Sequence, residues 1–254
     1  MKKVNPLNYL IFSQLCLSNF SKTNERMKQA AKKIYIMIPG GWHGGWSFDP
    51  IKDRLIKTGH DFLALTLPGL EHPSLPHKKV INLDTHIRYV VDQLVEQDFS
   101  QVILCAHSYG GLVITGVADQ IPEKIHSLVY IDAYIPENGD SCWKLTSEVY
   151  RDLFIEGVAH DGYTVAVPPG TEKRRVPHPV ATFMQALHLT GRYKQIRNRV
   201  FVYASGWAAT PFKKQYEALK NNPEWHLETI HCGHNVMREA PENLTAILEK
   251  TADL

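Results

Sequence analysis

The chain has 254 residues, of which 44% are apolar and 21% charged; that is enough length and apolar material for one large globular domain, and it excludes a disordered chain. The formal net charge is +2, with Lys and Arg interspersed among Asp and Glu, so there is no basic face for a polyanion and nucleic acid is excluded as a partner. Cys16, Cys105, Cys142 and Cys232 lack metal-ligand spacing and read as free thiols, because a chain of this size does not need disulfide staples.

Residues 1–32 read as an N-terminal extension. Within it, "MKK" followed by "LNYLIFSQLCLSNF" imitates the basic and apolar regions of a secretory signal. Asn, Gln and Ser interrupt the apolar part, however, and no small-residue cleavage site follows. The expectation is a cytoplasmic protein, with export the alternative if residues 1–26 act as a signal; Met27 is an alternative start of the domain. No stretch approaches the roughly 18 apolar residues that would cross a bilayer, so no stable membrane insertion is expected.

From Lys33 onward, short β-rich runs alternate with amphipathic segments, the pattern of parallel strands joined by helical crossovers. Strands are predicted at "IYIMI" (34–38), "FLALTL" (62–67), "QVILCA" (101–106), "SLVYID" (127–132), "VFVYA" (200–204) and "WHLETI" (225–230). Helices are predicted at 84–98, 109–120, 212–221 and 241–251. The result is an α/β fold with about six strands in a mostly parallel sheet flanked by helices. Residues 136–196, with "AVPPGTEKRRVPHP" in their middle, are longer than a crossover requires. They read as a cap inserted over the carboxyl ends of the strands, where open α/β sheets bind ligands. The core is thereby divided into 33–135 and 197–254.

Ser108 lies where the strand "QVILCA" turns into the helix "YGGLVITGVADQ". A serine on so sharp a turn is lifted clear of the sheet, and small residues two before and two after it let strand and helix pass closely. Ala106 and Gly110 meet that need, with Ala in place of the first Gly of the usual G-x-S-x-G. A serine hydroxyl is protonated at neutral pH and needs a base. In the chain order Ser, acid, His, the base belongs on the loop after the last strand. "TIHCGHNVMREAPENL" is that loop, and His234 is the candidate; His231 reads as a surface or packing histidine.

The acid follows by elimination. Many proteins of this architecture carry it after the penultimate strand, but "ASGWAATPF" (204–212) has no carboxylate. The end of the preceding strand, "VYIDAYIPENGDS", offers Asp132, with Asp140 in reserve. An ionised Asp at the tip of an apolar strand is costly without a partner, and a hydrogen bond to His234 would supply one. Donors for a developing oxyanion are expected from the backbone N–H of Tyr109 and from Gly41 in "IPGGWHGGWSFDP". "GGWHGG" has neither G-x-G-x-x-G spacing nor the Lys-Ser/Thr of a phosphate loop.

"PGGWHGGWSFDPIKDRL", "AHSYGG", "LVYIDAYIPENGDS", "RRVPHPVATFMQAL" and "GHNVM" together resemble the α/β-hydrolase family of plant methylesterases, hydroxynitrile lyases and small bacterial esterases. The likeness runs from about residue 33 to the end, and the cap and Asp132 segments are most similar to the bacterial branch. It implies a cofactor-free serine hydrolase with Ser108, His234 and Asp132 as its triad, acting on a small-molecule ester through an acyl-enzyme, as a monomer or homodimer. Two departures stand out: Pro39 precedes the oxyanion glycine where relatives often have His, and the acid lies on a different strand from that of the plant enzymes. The lyases of the family place a lysine beside the catalytic histidine, where this chain has Asn235; a cyanohydrin lyase and a non-catalytic binding protein are the alternatives.

Around the site, Trp42, His43 and Phe183 are expected to line a substrate pocket, with Trp46, Trp143, Phe154, Tyr163 and Met184 as further candidates. "EKRR" (172–175) reads as a solvated charge run. Thirteen histidines form no H-E-x-x-H or comparable cluster, so no metal and no cofactor are expected.

Overall fold

Alternation along the first strand sets the layers. In β1 (Ile34–Ile38), Ile36 and Ile38 enter one apolar cluster while Tyr35 and Met37 enter another, on the opposite face. A strand buried on both sides in this way belongs inside a sheet covered by helices. The computed structural model describes residues 32–71, 80–170, 172–208 and 210–254; the signal-like reading of residues 1–26 lies outside them. Residues Lys33–Leu254 form one compact unit.

After β1 come α1 (Asp49–Lys57), β2 (Asp61–Ala64), α2 (Leu83–Glu96), β3 (Val102–Ser108), α3 (Gly110–Gln120) and β4 (Ile125–Ala133). Two short helices, α4 (Cys142–Leu145) and α5 (Glu148–Val158), precede the paired β5 (Thr164–Val165) and β6 (His178–Pro179), then α6 (Val180–Met184). The chain returns through β7 (Asn198–Ala204), α7 (Lys213–Leu219), β8 (His226–Ile230), α8 (Val236–Glu239) and α9 (Pro241–Ala252). The main sheet has six strands in the order β2-β1-β3-β4-β7-β8, every pairing parallel. Its carboxyl ends therefore share one edge, and the elements from α4 to α6 are inserted between β4 and β7.

Three helices show their reason in sequence. Asn82 caps α2 by accepting from the Thr85 N–H at 3.0 Å, and the Thr85 hydroxyl answers the Asn82 N–H at 3.3 Å. Helices α1 and α9 both carry Pro in their first turn, where the missing N–H costs nothing. Their faces bury Ile51 and Leu55, and Leu244, Ile247 and Leu248, in one cluster; each such side chain contributes about 1.5–3 kcal/mol. Tyr35, in the middle of that cluster, satisfies its hydroxyl by donating to the Leu248 carbonyl at 2.8 Å.

Two expectations need adjusting. "FLALTL" keeps only its first half as strand, because β2 stops at Ala64; the loop backbone at Gly45 packs against the Ala64 carbonyl so closely that a Cβ would stand 2.5 Å from it. The segment from Asp49 to Lys57, quoted above for its resemblance alone, is a helix.

Candidate active site

The last residue of β3 is Ser108, and its backbone is left-handed, at φ 53°. Only close packing makes that turn possible. A Cβ on Gly110 would lie 2.8 Å from the carbonyl oxygens of both Ile38 and Pro39, and 3.2 Å from Ala106 Cβ. The Ala106 methyl thus fits where the usual pattern has glycine, whereas Gly110 has no room for one. On the other side, a Cβ on Gly40 would meet Ser108 Cβ at 2.9 Å and His107 Nδ1 at 2.8 Å. Ser108 is half-buried and faces a cavity of about 220 Å³ that His234, Gly41 and Tyr109 also line.

Asp132 owes its direction to a bulge. His107 of β3 pairs with Ile131 and Ser108 pairs with Ala133, so Asp132 is the extra residue, at φ 42°; such a bulge re-aims the side chain it carries. The carboxylate is fully buried. Its Oδ2 accepts from His234 Nδ1 at 2.7 Å, and its Oδ1 accepts from the Ala204 N–H at 3.2 Å. The last residue of β7 thus holds the second oxygen of Asp132 through its backbone. Asp140 is engaged elsewhere: it accepts from the Glu137 N–H at 2.9 Å and pairs with Lys144 at 2.6 Å.

His234 sits in an aromatic slot, with ring centroids of His107 at 4.3 Å, Trp207 at 4.5 Å and Phe212 at 5.8 Å. Burial first, and the charge of Arg175 second, push its imidazole down to about 3 from the usual 6.5. With Nδ1–H donated to Asp132, Nε2 keeps its lone pair. Among the described residues, no hydrogen bond joins that nitrogen to the Ser108 hydroxyl; bonds of this kind commonly tighten only with substrate in place. His107 Nε2 donates to the His234 carbonyl at 2.8 Å, tying the histidine loop to the strand that carries the serine. His231 is exposed and meets Ser205 at 3.4 Å, outside the cavity.

The Gly41 and Tyr109 N–H groups donate to no acceptor among the described residues. The neighbouring amide is differently placed: Trp42 N–H donates to His178 Nδ1 at 3.1 Å and the Trp42 indole donates to the Val165 carbonyl at 3.0 Å. These bonds hold Trp42 at φ 63°, a left-handed conformation that needs support from its surroundings. His43 turns Nδ1–H onto the Gly41 carbonyl at 2.7 Å, and the loop's peptide planes are fixed from both sides. His86 accepts from the Tyr109 hydroxyl at 2.9 Å and donates to the Pro68 carbonyl at 2.9 Å. The anchoring histidines 86 and 178 carry no sequence signal beyond being histidines, since their partners lie 23 and 136 residues away.

Of the expected lining residues, Trp42, His43, Phe154 and Phe183 border the cavity. Phe183 stacks between His178 at 4.1 Å and Phe154 at 4.4 Å. Tyr163 and Met184 are 77% and 47% exposed, and Trp143 is not on the cavity wall; α4 presents Cys142 to the cavity, and α5 and α6 present Phe154 and Phe183. Trp46 lines a smaller adjacent cleft. "EKRR" is not uniformly solvated: Lys173 and Arg174 are exposed, but Arg175 is half-buried on the cavity wall. Among the described residues no group of three or more His, Cys, Asp or Glu is placed to hold a metal, and no helix is long and apolar enough to cross a membrane. Cys105, Cys142 and Cys232 are unbridged.

Residues 35–247 match the model of the alpha/beta hydrolase family, and the chain belongs to that family. It is 34% identical over 241 residues to a carbendazim hydrolyzing esterase of Nocardioides sp. (strain SG-4G), covering 87% of this chain and 98% of the relative. Methylesterase 4 of Arabidopsis thaliana is 24% identical over 264 residues, covering 89% and 98%. Among solved structures, an extracellular alpha/beta-hydrolase from a Paenibacillus species superposes with a TM-score of 0.74 at 21% identity, covering 86% of this chain and 98% of that one. These relatives make the protein an esterase-type hydrolase.

Proposed function

We propose that the protein cleaves carboxylic esters by two-step acyl transfer, with Ser108 as nucleophile, His234 as base and Asp132 as acid. In this reading the Ser108 oxygen attacks the ester carbonyl while His234 Nε2 takes its proton, and Asp132 steadies the imidazolium that forms. The Gly41 and Tyr109 amides hold the oxyanion. His234 returns the proton to the leaving alcohol; a water then attacks the acyl-enzyme, releasing the acid and restoring Ser108. The balance is ester plus water to acid plus alcohol, and no cofactor is called for. Residues 136–196 act as the cap that shapes the cavity.

The observation that carries this reading is the 2.7 Å bond between His234 Nδ1 and Asp132 Oδ2 on the same cavity as a left-handed Ser108. The similarity to the Nocardioides carbendazim hydrolyzing esterase supports it. The test is labelling with a fluorophosphonate followed by peptide mass mapping, alongside 4-nitrophenyl ester hydrolysis. Modification at Ser108 and a loss of kcat by roughly a millionfold in Ser108→Ala are expected. Undiminished hydrolysis by that variant overturns the assignment, as does cyanide release from cyanohydrins in place of ester cleavage.

A further inference from the structure

The cavity holds one charged group that the acyl-transfer scheme does not use. Arg175 lies on the wall of the Ser108 cavity and also on the wall of the adjacent cleft, so it stands where the two meet. Its place is set by backbone. A turn closed by the Arg175 N–H donating to the Glu172 carbonyl at 3.1 Å sends Lys173 and Arg174 outward and brings Arg175 back. The next residue, Val176, then donates its N–H to the Trp42 carbonyl at 3.2 Å, stitching the segment to the loop that carries Gly41.

Among the described residues no carboxylate lies within ion-pair distance of this guanidinium; burial and the Arg238 charge disfavour its charged form, and the Glu172 charge offsets them only in part. Arg175 Nε is buried and has no hydrogen-bond partner. Glu172, the nearest acid in sequence, spends its oxygens on Arg174 at 3.5 Å and Arg238 at 3.8 Å. Burial lowers His43 and His234 most, and the Arg175 charge comes second at both; at His107 burial and then the His234 charge outweigh it. A half-buried cation without an acceptor is unfavourable in the resting protein. It also opposes the positive charge that His234 must take up during the reaction.

A ligand anion removes both penalties. The guanidinium fork matches a carboxylate in two parallel hydrogen bonds, and pairing there would cancel the field that disfavours the imidazolium. Much of the remaining lining is apolar and aromatic, with Phe154, Phe183, Leu153, Trp207 and Phe212. We propose that Arg175 is a specificity-determining residue and that the preferred substrates are esters bearing a carboxylate, on either the acyl or the alcohol portion, which docks on its guanidinium. This rests on the esterase reading above, but the serine chemistry can hold even if the anion preference fails.

The test compares two matched series in wild type, Arg175→Gln and Lys173→Gln. One series sets mono-4-nitrophenyl esters of straight-chain dicarboxylic acids against uncharged 4-nitrophenyl alkanoates of equal length, placing the carboxylate on the acyl side. The other sets acetoxybenzoates against their carboxamides, placing it on the alcohol side. In at least one series wild type is expected to favour the charged member in kcat/KM. Arg175→Gln should lower that charged-to-uncharged ratio by roughly 10- to 100-fold, the usual worth of a charge-assisted hydrogen bond, mainly through KM. Lys173→Gln removes an exposed charge from the same turn and should leave the ratio in place. No preference in either series, an equal loss on charged and uncharged esters, or the same fall in ratio for Lys173→Gln each overturns the proposal. Failure of the esterase reading is seen separately, as absence of Ser108 labelling and of hydrolysis of any ester.

Discussion

His234 Nδ1 and Asp132 Oδ2 stand 2.7 Å apart, although 102 residues separate them in the chain. Three local arrangements produce that contact: the bulge that turns Asp132 out of β4, the Ala204 N–H that holds its second oxygen, and the His107 bond that fixes the histidine loop. Asp132→Asn preserves shape but presents a donor where the ring donates. A fall in kcat on the order of 10⁴ is expected, against a small change for Asp140→Asn, whose carboxylate serves a turn and Lys144. Steady-state kinetics on an uncharged ester decides; the reverse ranking would move the acid to Asp140.

Acid should weaken the fold through its anchoring histidines. Burial holds His86 at about 4, and burial with the Arg175 charge holds His43 at about 3, both below the usual 6.5. Above pH 6.5 neither state binds a proton at these sites and stability does not change. Below it, the unfolded chain takes up protons that the folded chain refuses, and stability falls as the pH drops toward those lower values. By pH 5 the loss is on the order of 2 kcal/mol for each histidine. Because burial raises Asp132 to about 8, a contribution of opposite sign over the same range, the histidine share is read by difference. The change in urea midpoint from pH 7.5 to 5 at constant m-value should be less unfavourable in His86→Gln than in wild type, and an equal change in both contradicts the neutral, buried assignment.

Gly40→Ala should damage both stability and catalysis. The added methyl would stand within 3 Å of Ser108 Cβ and His107 Nδ1, neither of which can swing away. Overpacking of this kind costs about 1–3 kcal/mol. A lowered Tm together with a reduced kcat is the expected outcome, and an unaltered kcat would show that the serine turn is looser than its contacts suggest.

Ala106→Gly restores the usual glycine two residues before Ser108. Because the Ala106 methyl already fits beside Gly110, the variant should keep Ser108 labelling while losing roughly 0.5–1 kcal/mol from the greater freedom of glycine in a strand. A gain in stability would mean that the methyl is strained.

Phe183→Ala removes a ring that is 1% exposed and stacked on two others. The expected loss is about 3–5 kcal/mol by thermal or chemical denaturation. The ring also meets the Gly41 loop, 3.1 Å from the position of a Cβ on Gly41, so KM for small esters should rise in whatever folded fraction remains. A loss below about 1 kcal/mol would place Phe183 outside the core.

The amino-acid sequence alone determined the six strands of the main sheet and four of the helices that follow them, but not α1 or the elements from α4 to α6. That signal is local: β-branched runs, alternation, Pro at helix starts and small residues around Ser108 each act within a few positions. The same locality made Ser108 and His234 legible, since each sits on a loop whose place follows from the strand before it. Asp132 could be reached only by elimination, because a bulge is a mismatch between two strands and leaves no mark on one. "EKRR" is the opposite case: four charged residues in a row predict a solvated run, yet a single turn and the Val176 bond to Trp42 carry Arg175 into the cavity. Which histidines anchor the Trp42 loop, which Phe side chains face inward and which charge lacks a partner were decided by contacts between segments far apart in the chain. Those contacts exist only once the sheet has brought its carboxyl ends to one edge and the segment between β4 and β7 has packed against the Gly41 loop.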